Sequence, residues 1–152
     1  MINSDLLIRK ATSKDTAAIV AVIAPFVEDI IANEQGRQRF TPEAIQAIFE
    51  RQGIHYFVAE LDQEIVGLVA YLEPAHVLHF FLIKALHGQG YGTLLWNFIE
   101  EKIKQQRVDK ITVNSSAYAQ KIYEKFGFVT TGPAIEDKGI HFIPMTKHYS
   151  SQ

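Results

Sequence analysis

Three β-rich runs follow one another closely, His55 to Leu61, Ile65 to Leu72 and Val77 to Ile83, and the last empties into a glycine cluster at Gly88, Gly90 and Gly92. The first two runs are separated only by Asp62, Gln63 and Glu64, a connection so short that they pair as an antiparallel hairpin. Directly after the glycines comes an apolar stripe of Leu94, Leu95, Phe98, Ile99 and Ile103, with the spacing of one helix face. A meander that feeds through glycines into a helix requires a sheet, with the helix laid across one of its faces.

The rest of the chain extends this pattern. Leu6 to Ala11 reads as a first strand, and Thr12 and Ser13 are helix caps. Ile19, Val22, Ile23, Phe26, Val27, Ile30 and Ile31 are spaced as a helix, which Pro25 splits or kinks because its ring crowds the preceding turn and it lacks an amide hydrogen. Thr41 followed by Pro42 starts another helix, with Ile45, Ile48 and Phe49 on one face, running until Gly53. Beyond the long helix, Lys110 to Val113 is a short strand. Ser115 and Ser116 cap a helix that carries Ala119, Ile122, Tyr123 and Phe126 on one face, and Gly127 suits its left-handed end. Phe128 to Thr131 and Gly139 to Met145 close the chain as strands. No linker, repeat or low-complexity tract interrupts it, so the expectation is one α/β domain over 1–152, a mixed sheet with helices on both faces.

Composition removes whole classes of chemistry. With no Cys there is no disulfide framework, thiolate metal cluster or cysteine nucleophile, which leaves Ser, Tyr, His and carboxylates. Fifteen Lys and Arg against seventeen Asp and Glu leave a net charge of −2, which disfavours nucleic acid and anionic membranes as partners. The apolar run within Met1 to Lys10 is too brief for a signal peptide or a membrane span, so a cytoplasmic protein is expected.

The segment from Leu82 to Thr93 passes from a strand end to a helix start. Glycine there permits positive φ and close approach of a ligand, while the first helical turn offers unpaired N–H groups and partial positive charge. Two readings stand on the glycines alone: a tight turn needing glycine for geometry, or an anion site. A dinucleotide fingerprint beginning at Gly88 needs a glycine where Thr93 stands, and a Walker loop needs a Gly-Lys pair that is missing. The run His87-Gly88-Gln89-Gly90-Tyr91-Gly92 instead resembles the glycine turn of the Gcn5-related N-acetyltransferases (GNAT), whose pattern is Gln or Arg, two residues, Gly, one residue, Gly or Ala, then a helix. His87 departs from the Gln or Arg of that pattern. Asn114 to Phe128, with its Tyr123-Glu124-Lys125-Phe126-Gly127-Phe128 run, is similar to the second signature of the same family.

The resemblance implies a mostly antiparallel mixed sheet with a splayed strand pair, and acetyl-CoA as co-substrate without a metal. By it, the coenzyme's diphosphate lies over the main chain of His87, Gly88, Gln89, Gly90, Tyr91, Gly92 and Thr93, and its pantetheine arm along the backbone of Leu82 and Ile83. Asn114 stands in for an asparagine that many relatives carry where this chain has Ser116. Tyr123 inherits the role of acid toward the leaving thiolate, a reasonable partner for a thiol near pKa 8.5 to 10 because a phenol titrates at about 10. Its other reading is a core tyrosine on an apolar helix stripe. His76 falls where some members place a base; with an ordinary pKa near 6.5 it can take a proton from an amine, and its other reading is a satisfied histidine. Glu73 and His79 are weaker candidates. A metal shared by His76 and His79 is rejected because residues three apart on a regular strand face opposite ways. Glu28, Asn33, Glu34 and the Arg37 to Phe40 stretch lie where relatives build the acceptor pocket. The implied function is transfer of acetyl from acetyl-CoA to a primary amine of a small molecule or peptide, with a homodimer left open. The rival reading is a non-catalytic acyl-CoA-binding sensor or interaction module.

Overall fold

A computed structural model describes residues 5–150; the first four residues and the last two of the domain expected over 1–152 lie outside the described residues. Strand β1 (Leu7–Lys10) leads through a 3-10 turn at Ser13–Asp15 into α1 (Thr16–Ile23). That entry is fixed electrostatically: the amide of Thr12 donates to the Asp15 carboxylate at 2.8 Å, and the Arg9 guanidinium forks onto both oxygens of the same carboxylate at 2.9 Å. Pro25 does split the next helix, since α1 gives way to a 3-10 stretch at Ala24–Asp29. A short α2 (Glu34–Arg37), capped by the Asn33 side chain on the Gly36 amide, precedes a 3-10 turn at Gln38–Phe40. Helix α3 (Pro42–Ile48) begins as expected, with Thr41 accepting from the Ala44 amide.

The meander is β2 (Ile54–Leu61), β3 (Glu64–Leu72) and β4 (His76–Leu82). Its first turn is tighter than the sequence implies. Asp62 and Gln63 both adopt positive φ, at 52° and 70°, and Glu64 already pairs with Leu61 as the first residue of β3. After a 3-10 turn at Lys84–Leu86 come α4 (Tyr91–Lys104), β5 (Lys110–Ser115) and α5 (Gln120–Lys125). Helix α5 ends at Gly127 with φ 102°, and the amide of Phe128 reaches back to the Tyr123 carbonyl at 3.0 Å, the bond that closes a left-handed helix end. The chain finishes with β6 (Val129–Thr130), β7 (Ile135–Asp137) and β8 (Ile140–His148). Strand β7 and its hairpin with β8 were not expected from the sequence, and β8 continues three residues beyond Met145.

In the sheet the strands lie in the order β1-β2-β3-β4-β5-β8-β6, with β7 paired to β8 off that path. Neighbours are antiparallel except β4 and β5, which are parallel and meet only at His76 with Thr112 and Val77 with Val113. One face buries Val69, Val77, Leu95, Ile99, Tyr123 and Phe128 beneath α4 and α5; the other buries Ile19, Ile23, Ile45, Tyr56 and Leu68 beneath α1 and α3. Each such side chain contributes roughly 1.5–3 kcal/mol on burial, so helices on both faces hold the sheet rigid around the one place where its ladder opens. Among the described residues no helix is long and apolar enough to cross a membrane.

Candidate active site

Past Val77 the two parallel strands separate. β4 stays bonded to β3 as far as Leu82, while its other edge has no strand partner among the described residues. A cavity of about 930 Å³ opens there, lined from both faces of the sheet and reaching the glycine turn. Backbone direction decides which groups of β4 face it. The Ile83 amide donates to the Val66 carbonyl at 2.9 Å, and its carbonyl accepts from the Leu86 amide at 3.1 Å. Both main-chain groups of Ile83 are therefore bonded within the chain, as is the Leu82 carbonyl, which accepts from the His87 ring. Because main-chain groups alternate along a strand, the cleft-facing positions are Leu82 and Phe80.

The glycine turn leads from the end of β4 into α4. Gly88 has φ 78° and Gly90 φ 90°, and no side chain caps α4, whose N-cap is Gly90. The first-turn amides at Gly92 and Thr93 have no acceptor within the helix. A Cβ added at Gly88 or at Gly92 would meet nothing within 4 Å, so neither glycine is there to let the chain pack on itself. The side chains of this segment point elsewhere. Gln89 bonds back to the Ala85 carbonyl at 2.9 Å, and the Tyr91 ring is buried against Val66 and Leu82, so these two residues offer the cleft main chain only. Thr93 is exposed and lines the cavity, as does Asn114 on β5.

His87, in the place of the family's Gln or Arg, is spent within the chain. The Leu82 carbonyl can only accept, so Nε2 carries the proton that reaches it at 2.8 Å, and Nδ1 is 3.1 Å from the Tyr118 hydroxyl. The ring thus ties the end of β4 to the loop before α5, and Phe26 stacks on it with ring centroids 6.0 Å apart. Ser116 is likewise occupied, accepting from the Ala119 amide at 3.0 Å.

Tyr123 projects from α5 into the α4/α5 side of the cavity. Its ring packs edge to face on Phe80 and Phe128, at 6.1 and 5.4 Å, and burial pushes its phenol above the ordinary value. No buried side-chain nitrogen or oxygen lacks a partner among the described residues, and the Tyr123 hydroxyl has none among them, so it opens on the cavity. His76 lies on the opposite side. Its Nδ1 is 2.7 Å from the Thr112 hydroxyl, and Thr112 stands between Ile111 and Val113, which face α4. Burial holds the His76 ring below its usual pKa, so it is uncharged at neutral pH, and its Nε2 has no partner among the described residues.

Strand parity fails at one residue. Ala70 pairs with His79 and Tyr71 with Val77, which leaves Leu78 as a bulge. His79 packs against Tyr56, Phe40 and Phe81, on the α1/α3 face that His76 also occupies. The two histidines share a face after all. Each, however, gives Nδ1 to its own hydroxyl, and no group of three or more metal-ligating side chains exists among the described residues. Glu73 is exposed, bonded to His55 at 2.5 Å, and does not line the cavity.

Of the stretch that lies where relatives build the acceptor pocket, Arg39 and Phe40 line the cavity, whereas Arg37 turns away to pair with Glu28 at 2.8 Å and Glu34 at 3.6 Å. One wall is a clasp the sequence did not reveal. The Ala32 amide donates to the Gly139 carbonyl at 2.6 Å and the His141 amide to the Ile30 carbonyl at 2.9 Å, which joins the segment before α2 to the β7–β8 turn. Gly36 and Gly139 make the approach feasible: a Cβ on Gly36 would lie 1.9 Å from the Gly139 oxygen.

Residues 20–149 match the family model described as Acetyltransferase (GNAT) domain. Among solved structures, the chain is similar to a Gcn5-related N-acetyltransferase from Rhodopseudomonas palustris, at 22% identity and TM-score 0.78, over 97% of this chain and 98% of that one. It is similar to the PaiA N-acetyltransferase of Thermoplasma acidophilum in complex with coenzyme A, at 18% identity and TM-score 0.76, over 95% and 99%. It also matches an aminoglycoside 6′-N-acetyltransferase complexed with coenzyme A, at 11% identity and TM-score 0.74, over 96% and 98%.

Proposed function

The chain belongs to the GNAT acetyltransferase family and is an acetyl-CoA-dependent N-acetyltransferase, and from that premise we propose that it transfers acetyl directly to a primary amine of a small molecule or peptide. The observation that carries this reading is the parting of β4 from β5. It opens one cavity with His76 on one side of the sheet, Tyr123 on the other, and an uncapped helix start at its end.

Bound there, acetyl-CoA supplies an activated acyl group on a thiol leaving group. The residues that hold it are the main chain from Gly88 to Thr93 at the diphosphate and the open edge of β4 at Leu82 and Phe80 along the pantetheine arm, with Asn114 facing them from β5. Amides rather than a side-chain cation grip the diphosphate, since the His87 ring is engaged by Leu82 and Tyr118. His76, uncharged at neutral pH because burial lowers its pKa, accepts the amine proton at Nε2 as the tautomer whose Nδ1–H donates to the Thr112 hydroxyl. Tyr123 holds its proton firmly because of burial, so it acts on the departing sulfur first as a hydrogen-bond donor, with proton transfer following as negative charge accumulates.

The test is release of free thiol from acetyl-CoA across a panel of amines, with the acetylated products identified by mass. Amine-dependent release is expected. Tight coenzyme binding with no release from any amine would instead favour an acyl-CoA-binding sensor.

A further inference from the structure

We propose that the acceptor carries a carboxylate, or a comparable anionic group, beside its amine, and that His79 and Arg39 on the α1/α3 side of the cleft recognise it. The inference rests on the acetyl-transfer reading above and adds the substrate class.

The bulge at Leu78 is the first support, because it turns His79 onto the cavity face that His76 occupies. The second is the proton inventory of the ring. Its Nδ1 lies 2.9 Å from the Tyr56 hydroxyl. Tyr56 is only 4% exposed, burial raises its phenol above the ordinary value, and no other described group accepts from it. The phenol therefore donates to Nδ1, and in an uncharged ring Nε2 must carry the hydrogen. Burial and the nearby Arg39 hold His79 at a pKa of about 4, so the ring is uncharged at neutral pH. His79 is in consequence a fixed hydrogen-bond donor with no lone pair to offer an amine proton. Its Nε2 has no partner among the described residues, and no buried nitrogen there is left unsatisfied, so that N–H meets the cavity.

Arg39 is the third support. It follows the Arg37 that Glu28 and Glu34 neutralise, yet its own guanidinium makes no ion pair or hydrogen bond among the described residues while lining the cavity. It is a charge that lowers the His79 pKa, and the exposed carboxylates Asp29 and Asp137 line the same cavity. Phe40, next to Arg39, packs on the His79 ring at 6.2 Å between centroids and holds the two together. A guanidinium beside a fixed N–H donor repels an ammonium and attracts an anion. The acceptor's amine is left to His76, farther back along β4.

The experiment compares ω-amino acids of two to six carbons with n-alkylamines of matching length as acceptors for the full chain. We expect kcat/KM to favour the amino acids by about tenfold or more. In Arg39→Gln that ratio should fall toward one through a higher KM for the acids, and Arg39→Lys should restore part of it. A readout independent of turnover is the imidazole nitrogen signals of His79 in labelled protein: butyrate should shift Nε2, whereas butylamine should not. Alkylamines acetylated as well as the acids, or no response to butyrate, would overturn the anionic acceptor and leave acetyl transfer standing. Transfer to no amine at all would overturn both.

Discussion

Replacing Gly92 separates what the fold needs from what the ligand needs. Gly92 sits in the first turn of a fourteen-residue helix, with nothing of the chain within 4 Å of the Cβ it lacks. For folding, glycine is a cost at such a position. Alanine is favoured over it by about 1 kcal/mol in a helix interior, and about half of that is expected in a first turn. At roughly 2–4 °C per kcal/mol for a domain of this size, Gly92→Ala and Gly92→Leu should both melt about 1–2 °C above the parent when no ligand is present. Binding should divide them. The family pattern admits Ala at this position, so Gly92→Ala should hold coenzyme A near parental affinity. The leucine side chain would fill the space in front of the turn and deny the diphosphate two of its amides. Hydrogen bonds to a charged group contribute about 1.5–3 kcal/mol each, so Gly92→Leu should weaken binding by about 3–6 kcal/mol, on the order of 10²- to 10⁴-fold. Calorimetric titration with coenzyme A, beside unliganded melting curves, measures both quantities. A Gly92→Leu protein that melts higher and still binds like the parent would refute the placement of the diphosphate.

Three further outcomes follow from the same geometry. Tyr123→Phe keeps the ring that packs on Phe80 and Phe128 and removes only the hydroxyl, so kcat should fall about 10²-fold or more while coenzyme affinity changes by less than about twofold; unchanged turnover would dismiss Tyr123 as the acid. For His76, activity should rise with pH as the ring gives up its proton, with a midpoint below the usual 6.5 because burial disfavours the charged form; His76→Gln should flatten that limb, and a persistent limb would place the base elsewhere. Asp15, held below the ordinary carboxylate range first by its bond from Arg9, stabilises the fold above its unfolded value near 3.9 and loses that contribution as pH falls through its lower folded value. Asp15→Asn should therefore cost about 1–2 kcal/mol at pH 7 in urea unfolding, with the gap to the parent closing below about pH 4; a gap independent of pH would mean that charge is not the cause.

Much of the fold is legible in the sequence because local chemistry and tertiary structure agree there. Pro25 ends α1 where its missing amide says it must, Thr41 with Pro42 starts α3, and Gly127 takes the left-handed position that closes α5. The β7–β8 hairpin was not seen for the opposite reason. Ile135, Glu136 and Asp137 are exposed and too few to show alternation, and they are ordered through partners that sequence does not name: Phe142, His141 and Ile140 across the turn, and the clasp of Gly139 onto the segment before α2. Positive φ at Lys138 and Gly139 was the available signal, and it is one that a Lys-Gly pair shows only weakly on paper.

The site divides along the same line, between what backbone pattern reveals and what irregularity decides. The glycine turn is readable because its chemistry resides in main-chain amides, which require glycines at fixed spacing and leave a trace in the sequence. His79 is not, because its orientation depends on Leu78 being an extra residue in the ladder, and nothing about a leucine announces a bulge. Strict alternation sets His76 and His79 on opposite faces; one inserted residue sets them on the same face, three positions apart, beside an arginine from a different part of the chain. The bulge lies just past the last pair that joins β4 to β5, at Val77 with Val113. The irregularity that reorients the second histidine thus sits where the sheet opens for the substrates, so the opening and the recognition surface have a common structural origin.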